Sequence, residues 1–520
     1  MKETQNNNAP SLDYARRTLQ NYKLAKNELE VQLEHEKEVW STVYNSGDPS
    51  SWIFNSIVNK HADVIDNIPT CTCLPREKRD TQSADTLSKI IPVITGRCKF
   101  EQCYADNAWD KLRFGTAIYG VFWNPLAERG LGDVDIRPID ISDLYWEMGV
   151  SDIQDSKNVF LVSLADRERI ECAYGINYDE HKDADSEIMN IVGYKSDDER
   201  CLVVDWYYKK YDDRGGEILH LCKFMGDAIL YSSESDENCK QGWYAHGKYP
   251  FVFDRLYPKD RGICGFGMIA IGDRVQQYIN KLDRNIMNYS DWASRVRFWA
   301  KRSLGVNEKE FLDLERSIVE VEGDIDEEKL RQIEIGNMDE SLIDFKRLKI
   351  DELKEITGSR DVSQGGISGG VTAASAISIL REAGAKFSRD GIEETYRAYV
   401  SIIALVIELI RQFYGTARMF RIVGDSGGVE YLSISGKALG EREGYVPFYD
   451  IEVNATKKTP TEVQKKNEFA KDLFDSGVFK PENVTQTLMM LELMDFEGVG
   501  KLKAELRQAY RDENHDQSRI

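Results

Sequence analysis

Residues 339–384, DESLIDFKRLKIDELKEITGSRDVSQGGISGGVTAASAISILREAG, decide how the rest of the chain is read. The first part places Leu342, Phe345, Leu348, Leu353 and Ile356 among alternating charges, with neither glycine nor proline before Gly358. That spacing predicts an amphipathic helix over 339–357, which Gly358 can close in a left-handed cap. The next segment crowds Gly365, Gly366, Gly369 and Gly370 into a few positions. Each glycine held in a regular element costs about 0.5–1 kcal/mol relative to alanine, so 358–371 reads as loop. Thr372 is a fitting N-cap for a second helix that continues to Gly415, with bends expected at Gly384 and Gly391.

Composition limits what surrounds this stretch. A chain of 520 residues is too long for one core and predicts two or more domains or an elongated subunit. Charged residues make up 30% and mean hydropathy is −0.49. The most apolar run, Tyr399–Ile410, is interrupted by Glu408 and too short to span a bilayer. The polar opening, MKETQNNNAPSLDY, predicts no secretory signal. Nine scattered cysteines include a CxC at Cys71 and Cys73 but no CxxC or spaced histidine pair, which predicts reduced structural thiols and no metal site. A net charge of −21 argues against a protein that grips nucleic acid through a basic face. It is compatible with a conduit through which DNA slides, and equally with mere solubility.

Taken in order, residues 1–45 carry a charged helical pattern, read as a surface or inter-subunit helix. Ser51–Ile68 reads as a second helix ended by Pro69, and Cys71–Asp85 as loop. Thr86–Phe114 reads as helix with a break near Gly96, followed by a strand across Ile118, Gly120 and Phe122 and by short strands in DVDIRPID and DLYWEM. Between 152 and 254, the runs NVFLVSLA, CLVVDWYYKKY, EILHLCKFMGDAILY and YPFVFDRLY predict one antiparallel sheet with acidic loops, Gly175–Glu187 among them. From Gly267 to Val296 apolar residues step by three or four, with one gap of seven spanning Trp292 and Ala293, over about 30 residues, a helix of roughly 45 Å. A basic-aromatic knot follows, with Arg295, Arg297, Lys301 and Arg302 around Phe298 and Trp299, and then an acidic segment to Asn337. The knot can contact a partner, and pairing with that acidic segment is the plainer alternative. After Gly415, ARMFRIV, VEYLSI and PFYDIEVN read as strands, and the remainder after Asn454 as helices.

Three stretches spell catalytic words that their context does not support. Gly424–Gly428 matches a serine-protease signature at Ser426, but none of the six histidines lies in a matching context. Gly366–Gly370 satisfies G-x-S-x-G at Ser368, yet it follows a helix and loop where a nucleophile elbow needs a strand. Gly265–Ala270 fits G-x-G-x-x-A without the βαβ unit that dinucleotide binding requires. No phosphate-cradling GxxxxGK[ST] is present, so any energy for moving DNA comes from another subunit. The chain therefore reads as a non-enzyme without cofactor or metal.

The order helix, glycine loop, long helix resembles the tunnel loop and tunnel helix of tailed-bacteriophage portal proteins. Two upstream segments strengthen the resemblance. Asp110, Leu112, Gly115, Ala117 and Val121 fall on the family's d-x-l-x-x-G-x-a-x-x-x-v pattern. Ile136, Ile139, Asp140, Asp143, Leu144 and Tyr145 fall on a following strand pattern, with Ile136 and Ile139 one residue further apart than that pattern has them. The resemblance implies a mixed α+β portal fold: N-terminal arm and wing over 1–265, first stem helix 266–296, clip 297–337 and second stem helix 338–357. A tunnel loop at 358–371, a tunnel helix at 372–415, wing strands at 416–454 and a helical crown at 455–520 complete it. It also implies a homododecameric ring at one vertex of the virion capsid, assembled in the host bacterial cytoplasm, through which the genome is packaged and ejected. The implied partners are double-stranded DNA, held transiently and without sequence specificity, the terminase large subunit, a head-completion adaptor, and the major capsid and scaffolding proteins. Arg360, Ser363, Gln364, Gly365, Gly366, Ser368, Gly369 and Gly370 would face DNA, and Arg295, Arg297, Lys301 and Arg302 would dock partners. A phage head or tail adaptor without a DNA channel is the alternative, and a serine hydrolase a weaker one.

Overall fold

A computed structural model describes residues 11–45, 51–195, 199–211, 215–294, 298–300, 309, 330–332, 338–358, 386–423, 429–440, 445–455, 460–476, 484–494, 499, 502–503 and 505–506. The chain is mixed α+β and divides into two compact units. One comprises Met1–Glu38, Ile57–Met268 and Ala385–Ile520, and the other Val39–Ser56 and Ile269–Gly384.

The helices are α1 (Leu12–Asn45), α2 (Trp52–Ile65), α3 (Thr81–Arg97), α4 (Phe100–Phe114), α5 (Arg167–Tyr174), α6 (Lys182–Val192), α7 (Met268–Ser294), α8 (Glu340–Thr357), α9 (Lys386–Phe413), α10 (Pro460–Asp475) and α11 (Val484–Leu493). Besides short single turns, the first unit holds a five-stranded antiparallel sheet of β4 (Leu144–Trp146), β5 (Asn158–Asp166), β6 (Arg200–Tyr211), β7 (Glu217–Met225) and β8 (Ala228–Ser232), in that spatial order. The expected single sheet over 152–254 is corrected in two respects. DLYWEM supplies its edge strand, while YPFVFDRLY leaves it: β9 (Phe251–Arg255) pairs with β2 (Thr116–Asn124), which also pairs with β3 (Asp133–Ile139). The stretch read as an acidic loop carries α6 from Lys182 onward.

The charge-dense N-terminal helix, exposed along much of its length, also buries one face. Ala15 and Leu19 of α1 and Ile188 and Met189 of α6 pack in one core with Phe160, Trp206 and Phe224 of the sheet. Trp206 stacks on Tyr208 at 4.2 Å. Lys26, in the middle of α1, is buried and donates to the carbonyls of Ile141, Ser142 and Leu144, the last at 2.8 Å. Its ammonium also lies 4.4 Å over the Tyr145 ring, and burial pushes its pKa down to about 8. A charged pattern thus hides a buried face, because the one buried lysine is matched by three carbonyl acceptors.

Asp185 on α6 is fully buried and accepts hydrogen bonds from Tyr178 Oη at 3.1 Å and the Leu202 amide at 3.2 Å. Burial outweighs these bonds and pushes its carboxyl up to about 6. A folded pKa above the unfolded value means that the folded chain holds more protons between pH ~4 and ~6, so stability falls as pH rises through that window. Two pKa units set an upper bound of about 3 kcal/mol on the effect. Urea titrations from pH 4 to 7 are expected to show this decline, and Asp185→Asn to remove it. An unchanged slope in the variant would assign the decline to other groups.

Cys71–Asp85, expected as loop, opens with a strand. β1 (Pro69–Pro75) pairs antiparallel with β16 (Tyr449–Ala455), Cys71 opposite Val453. Alternation puts Cys71 and Cys73 inward and Thr72 and Leu74 outward. All nine cysteines are unpaired. The break near Gly96 is present between α3 and α4, where Lys99 adopts φ 52°. The three strands expected after Gly415 form as β14 (Arg418–Val423), β15 (Val429–Ile434) and β16. Met419 and Tyr431 lie on the exposed face of the β14–β15 pair, with Phe420 and Ile434 on the buried one. Helix α9 runs through Gly391 as one element, and Gly384 lies outside the described residues.

In the second unit, α7 and α8 pack antiparallel. Asp283 of α7 pairs with Lys346 of α8, and Gly272 nearer the start of α7 faces Leu353 nearer the end of α8. Gln276 Oε1 accepts from the Trp52 and Ile53 amides at 3.0 and 3.3 Å, holding the first turn of α2 against α7. Thr357 Oγ1 reaches Ser56 Oγ at 3.2 Å. β12 (Phe298–Ala300) and β13 (Leu330–Gln332) form an antiparallel pair that brackets residues 301–329.

Candidate functional site

The glycine-rich loop expected to carry function is approached by a helix whose two ends are fixed by local chemistry. Asp339 caps α8, its carboxylate accepting from the Ser341 amide at 3.0 Å. Gly358 ends it at φ 68°, the left-handed cap read from the sequence, and donates to the Glu355 carbonyl. Of the apolar residues on α8 that the sequence singled out, only Leu353 is buried. Phe345 is 45% and Leu348 60% exposed, with Leu342 and Ile356 just over a third exposed. On α7, Tyr278 and Met287 are exposed as well. Phe345 and Leu348 thus leave an apolar flank of α8 exposed among the described residues.

On the far side of the glycine-rich segment, α9 is anchored in the first unit by buried polar groups. Lys111 of α4 donates to Asp254 Oδ1 of β9 at 2.5 Å, to the Gly391 carbonyl at 2.7 Å and to Thr395 Oγ1 at 2.6 Å. Thr395 Oγ1 in turn donates to Asp254 Oδ2 at 2.9 Å. All three side chains are buried. Burial drives the Asp254 carboxyl above its usual range even with the lysine beside it. Every donor and acceptor in the cluster is matched, which is the condition for burying charge without a large penalty.

One turn further along α4, Gly115 closes the helix at φ 82° and crosses the chain entering α7 at backbone distance. A Cβ on Gly115 would lie 2.1 Å from the Phe266 carbonyl carbon, and one on Gly267 would lie 2.1 Å from the Arg113 carbonyl oxygen. Thr116 Oγ1 accepts from the Gly265 amide at 2.9 Å. The glycines of the G-x-G-x-x-A word therefore serve this crossing, and β11 (Gly265–Phe266) pairs with β10 (Tyr257–Pro258) in place of a nucleotide-binding βαβ unit. Asp140 and Asp143, also named in the upstream pattern, shape a turn. Asp140 accepts from the Ser142 amide at 2.8 Å, and Asp143 accepts from the Tyr194 hydroxyl.

The residues expected to touch DNA, Arg360, Ser363, Gln364, Gly365, Gly366, Ser368, Gly369 and Gly370, lie outside the described residues. So do the expected docking cations Arg295, Arg297, Lys301 and Arg302, as well as Ser426. The strands on either side of Gly424–Gly428 pair with Val423 opposite Val429, so that segment joins two arms of a hairpin. Among the described residues, no group of three His, Cys, Asp or Glu side chains could hold a metal ion. No described helix is long and apolar enough to cross a membrane.

Sequence reading did not single out Lys111, Asp254 or Thr395. A signal existed for the first: Asn107 and Lys111 stand four apart among Cys103, Tyr104, Ala108 and Leu112, on the face of α4 that is buried.

Residues 313–519 match the family model described as phage P22-like portal protein. That span contains α8, the glycine-rich segment, α9, the three later strands and the final helices, and bears out the resemblance to portal proteins drawn from that stretch. Portal proteins are a structural family. No curated protein matches the chain.

Proposed function

We propose that the chain is a portal subunit over its whole length, 1–312 included, and that copies of it close into a twelve-membered ring at one capsid vertex. The ring is the channel for genome entry and exit. It docks the terminase large subunit during packaging and a head-completion adaptor afterwards, and it contacts major capsid and scaffolding proteins. The observation that carries this reading is the helix, glycine-rich segment and long helix lying inside the portal-family match. Helices α7 and α8 are the stem, 297–337 the clip, α9 the tunnel helix and the helices after 455 the crown. Arg360 and Gln364 give weak phosphate contacts that do not trap an advancing duplex. Arg295, Arg297, Lys301 and Arg302 meet an acidic partner surface.

The open apolar flank of α8, with Phe345 and Leu348, supports the ring, since neighbouring copies would bury it. Light scattering on the purified protein is expected to show one large, discrete oligomer. A stable monomer at concentrations on the order of tens of micromolar would contradict the ring. Removing Ser363–Gly370 is expected to leave the oligomer intact and to impair packaging or retention of DNA. Particles from that deletion that fill and hold their genome normally would reduce the segment to a connector.

A further inference from the structure

Helix α9 is surrounded within the first unit on every side but one. Arg397 and Ser401 are exposed and Ala404 and Glu408 half-buried, and this stripe is the floor of an open groove of about 880 Å³. The small side chains of Ser401 and Ala404 let another chain approach the helix closely. Phe448, 56% exposed, forms part of one wall. Five cations line the groove (Arg76, Lys248, Arg255, Arg397 and Arg411) against three carboxylates (Asp152, Glu394 and Glu408). Asp450, which holds Arg76, adds a fourth carboxylate, so in a chain of net charge −21 the groove is close to neutral. Several of the cations are held by carboxylates: Arg397 by Glu394 at 2.7 Å, Arg411 by Glu408 at 2.6 Å and Arg76 by Asp450 at 2.8 Å. Arginines tied down in this way, beside a floor of small side chains, suit a protein surface better than a phosphate backbone.

The same unit carries a protrusion. Between β2 and β3 the chain turns through 125–132, and at this tip Leu126 is 78% and Leu131 65% exposed. Glu128 and Arg129 both adopt left-handed backbone, at φ 49° and 59°, a conformation that non-glycine residues hold only under constraint. The constraint is visible. Arg418 donates to the Gly132 and Leu131 carbonyls at 2.6 and 2.8 Å, its guanidinium lies 3.8 Å over the Tyr414 ring, and Trp123 stacks on Phe413 at 4.7 Å. Two exposed leucines are thus displayed on a braced loop rather than a loose one. The brace sits on the other side of α9 from the groove: Ala404 to Phe413 is nine residues, about 900° at 100° each, or half a turn out of phase.

We propose that the β2–β3 tip of one copy inserts into the α9 groove of the next. The inference rests on the ring reading above. A ring needs a head-to-tail contact between two different surfaces of each chain, and this unit presents a recess and a braced projection on opposite sides of one helix. Leu126 and Leu131 cover the Ser401–Ala404 floor and pack against the Phe448 wall. The occupant is a second copy, and a groove close to neutral receives it with less repulsion than the acidic remainder of the chain.

The test uses the full chain with exposed Cys172 replaced by serine, carrying Leu131→Cys together with Ser401→Cys and treated with a short bis-maleimide. Covalent multimers should form in the double variant and be absent from each single variant. In a second measurement, Leu126→Asp with Leu131→Asp, at positions exposed enough to leave folding intact by circular dichroism, should weaken copy-to-copy association about 100-fold or more. Rings that assemble without this cross-link, or that tolerate the aspartates, overturn the pairing and leave the ring reading standing. A parent chain that stays monomeric overturns both.

Discussion

Replacing Lys111 by methionine is expected to cost about 3–5 kcal/mol, because it strands the Asp254 carboxylate in a dry interior. Lys111 and Asp254 are 3% and 2% exposed, so no solvent reaches in to compensate. The Gly391 carbonyl and Thr395 hydroxyl lose their charged donor at the same time. Removing both charges in Lys111→Met with Asp254→Leu should cost far less, since a buried pair exchanged for packed apolar groups is often close to neutral. Urea unfolding followed by tryptophan fluorescence separates the two cases. Equal destabilisation by the single and double variants would mean that the pair stabilises through its own attraction rather than by avoiding an orphan charge. The distinction bears on function, because these groups fix the α9 segment that follows the glycine-rich stretch. The charge-free double variant is expected to fold and yet hold the start of α9 less specifically.

The second large effect is steric. Gly115→Ala is expected to cost on the order of 4 kcal/mol or more, or to abolish soluble protein. Its φ of 82° disfavours any side chain, and the added Cβ would lie 2.1 Å from backbone that cannot swing away as a side chain would. Gly149 provides the control. It has φ 97° but nothing within 4 Å of where a Cβ would be, so Gly149→Ala should cost only about 1 kcal/mol, the backbone term alone. Comparable losses at the two positions would show that the close crossing of 113–115 by 265–267 relaxes readily. If Gly115→Ala fails to fold, the soluble yield relative to Gly149→Ala carries the comparison.

What the sequence determined by itself was local. Helix α8 was readable from Asp339 to Gly358 because its cap, its apolar spacing and its terminating glycine all lie within the stretch they govern. The break between α3 and α4, the helix of α7 and the three strands after Gly415 were readable for the same reason. Tertiary structure alone decided what depends on distant partners. β1 looked like loop because the strand that completes it, with Thr70 opposite Asn454, lies at the other end of the chain, and seven residues with a proline at each end carry little signal of their own. β9 alternates like its neighbours, and alternation states that a strand has two faces without naming the sheet it joins. The buried face of α1 is hidden in a pattern that counts charges, since Lys26 is buried through carbonyls contributed by residues 141–144. The anchor of α9 follows the same rule: Lys111, Asp254 and Thr395 come from three separate segments, and only folding brings one donor within reach of three acceptors. Short-range sterics and capping are written residue by residue, whereas pairing and desolvation are properties of the assembled interior.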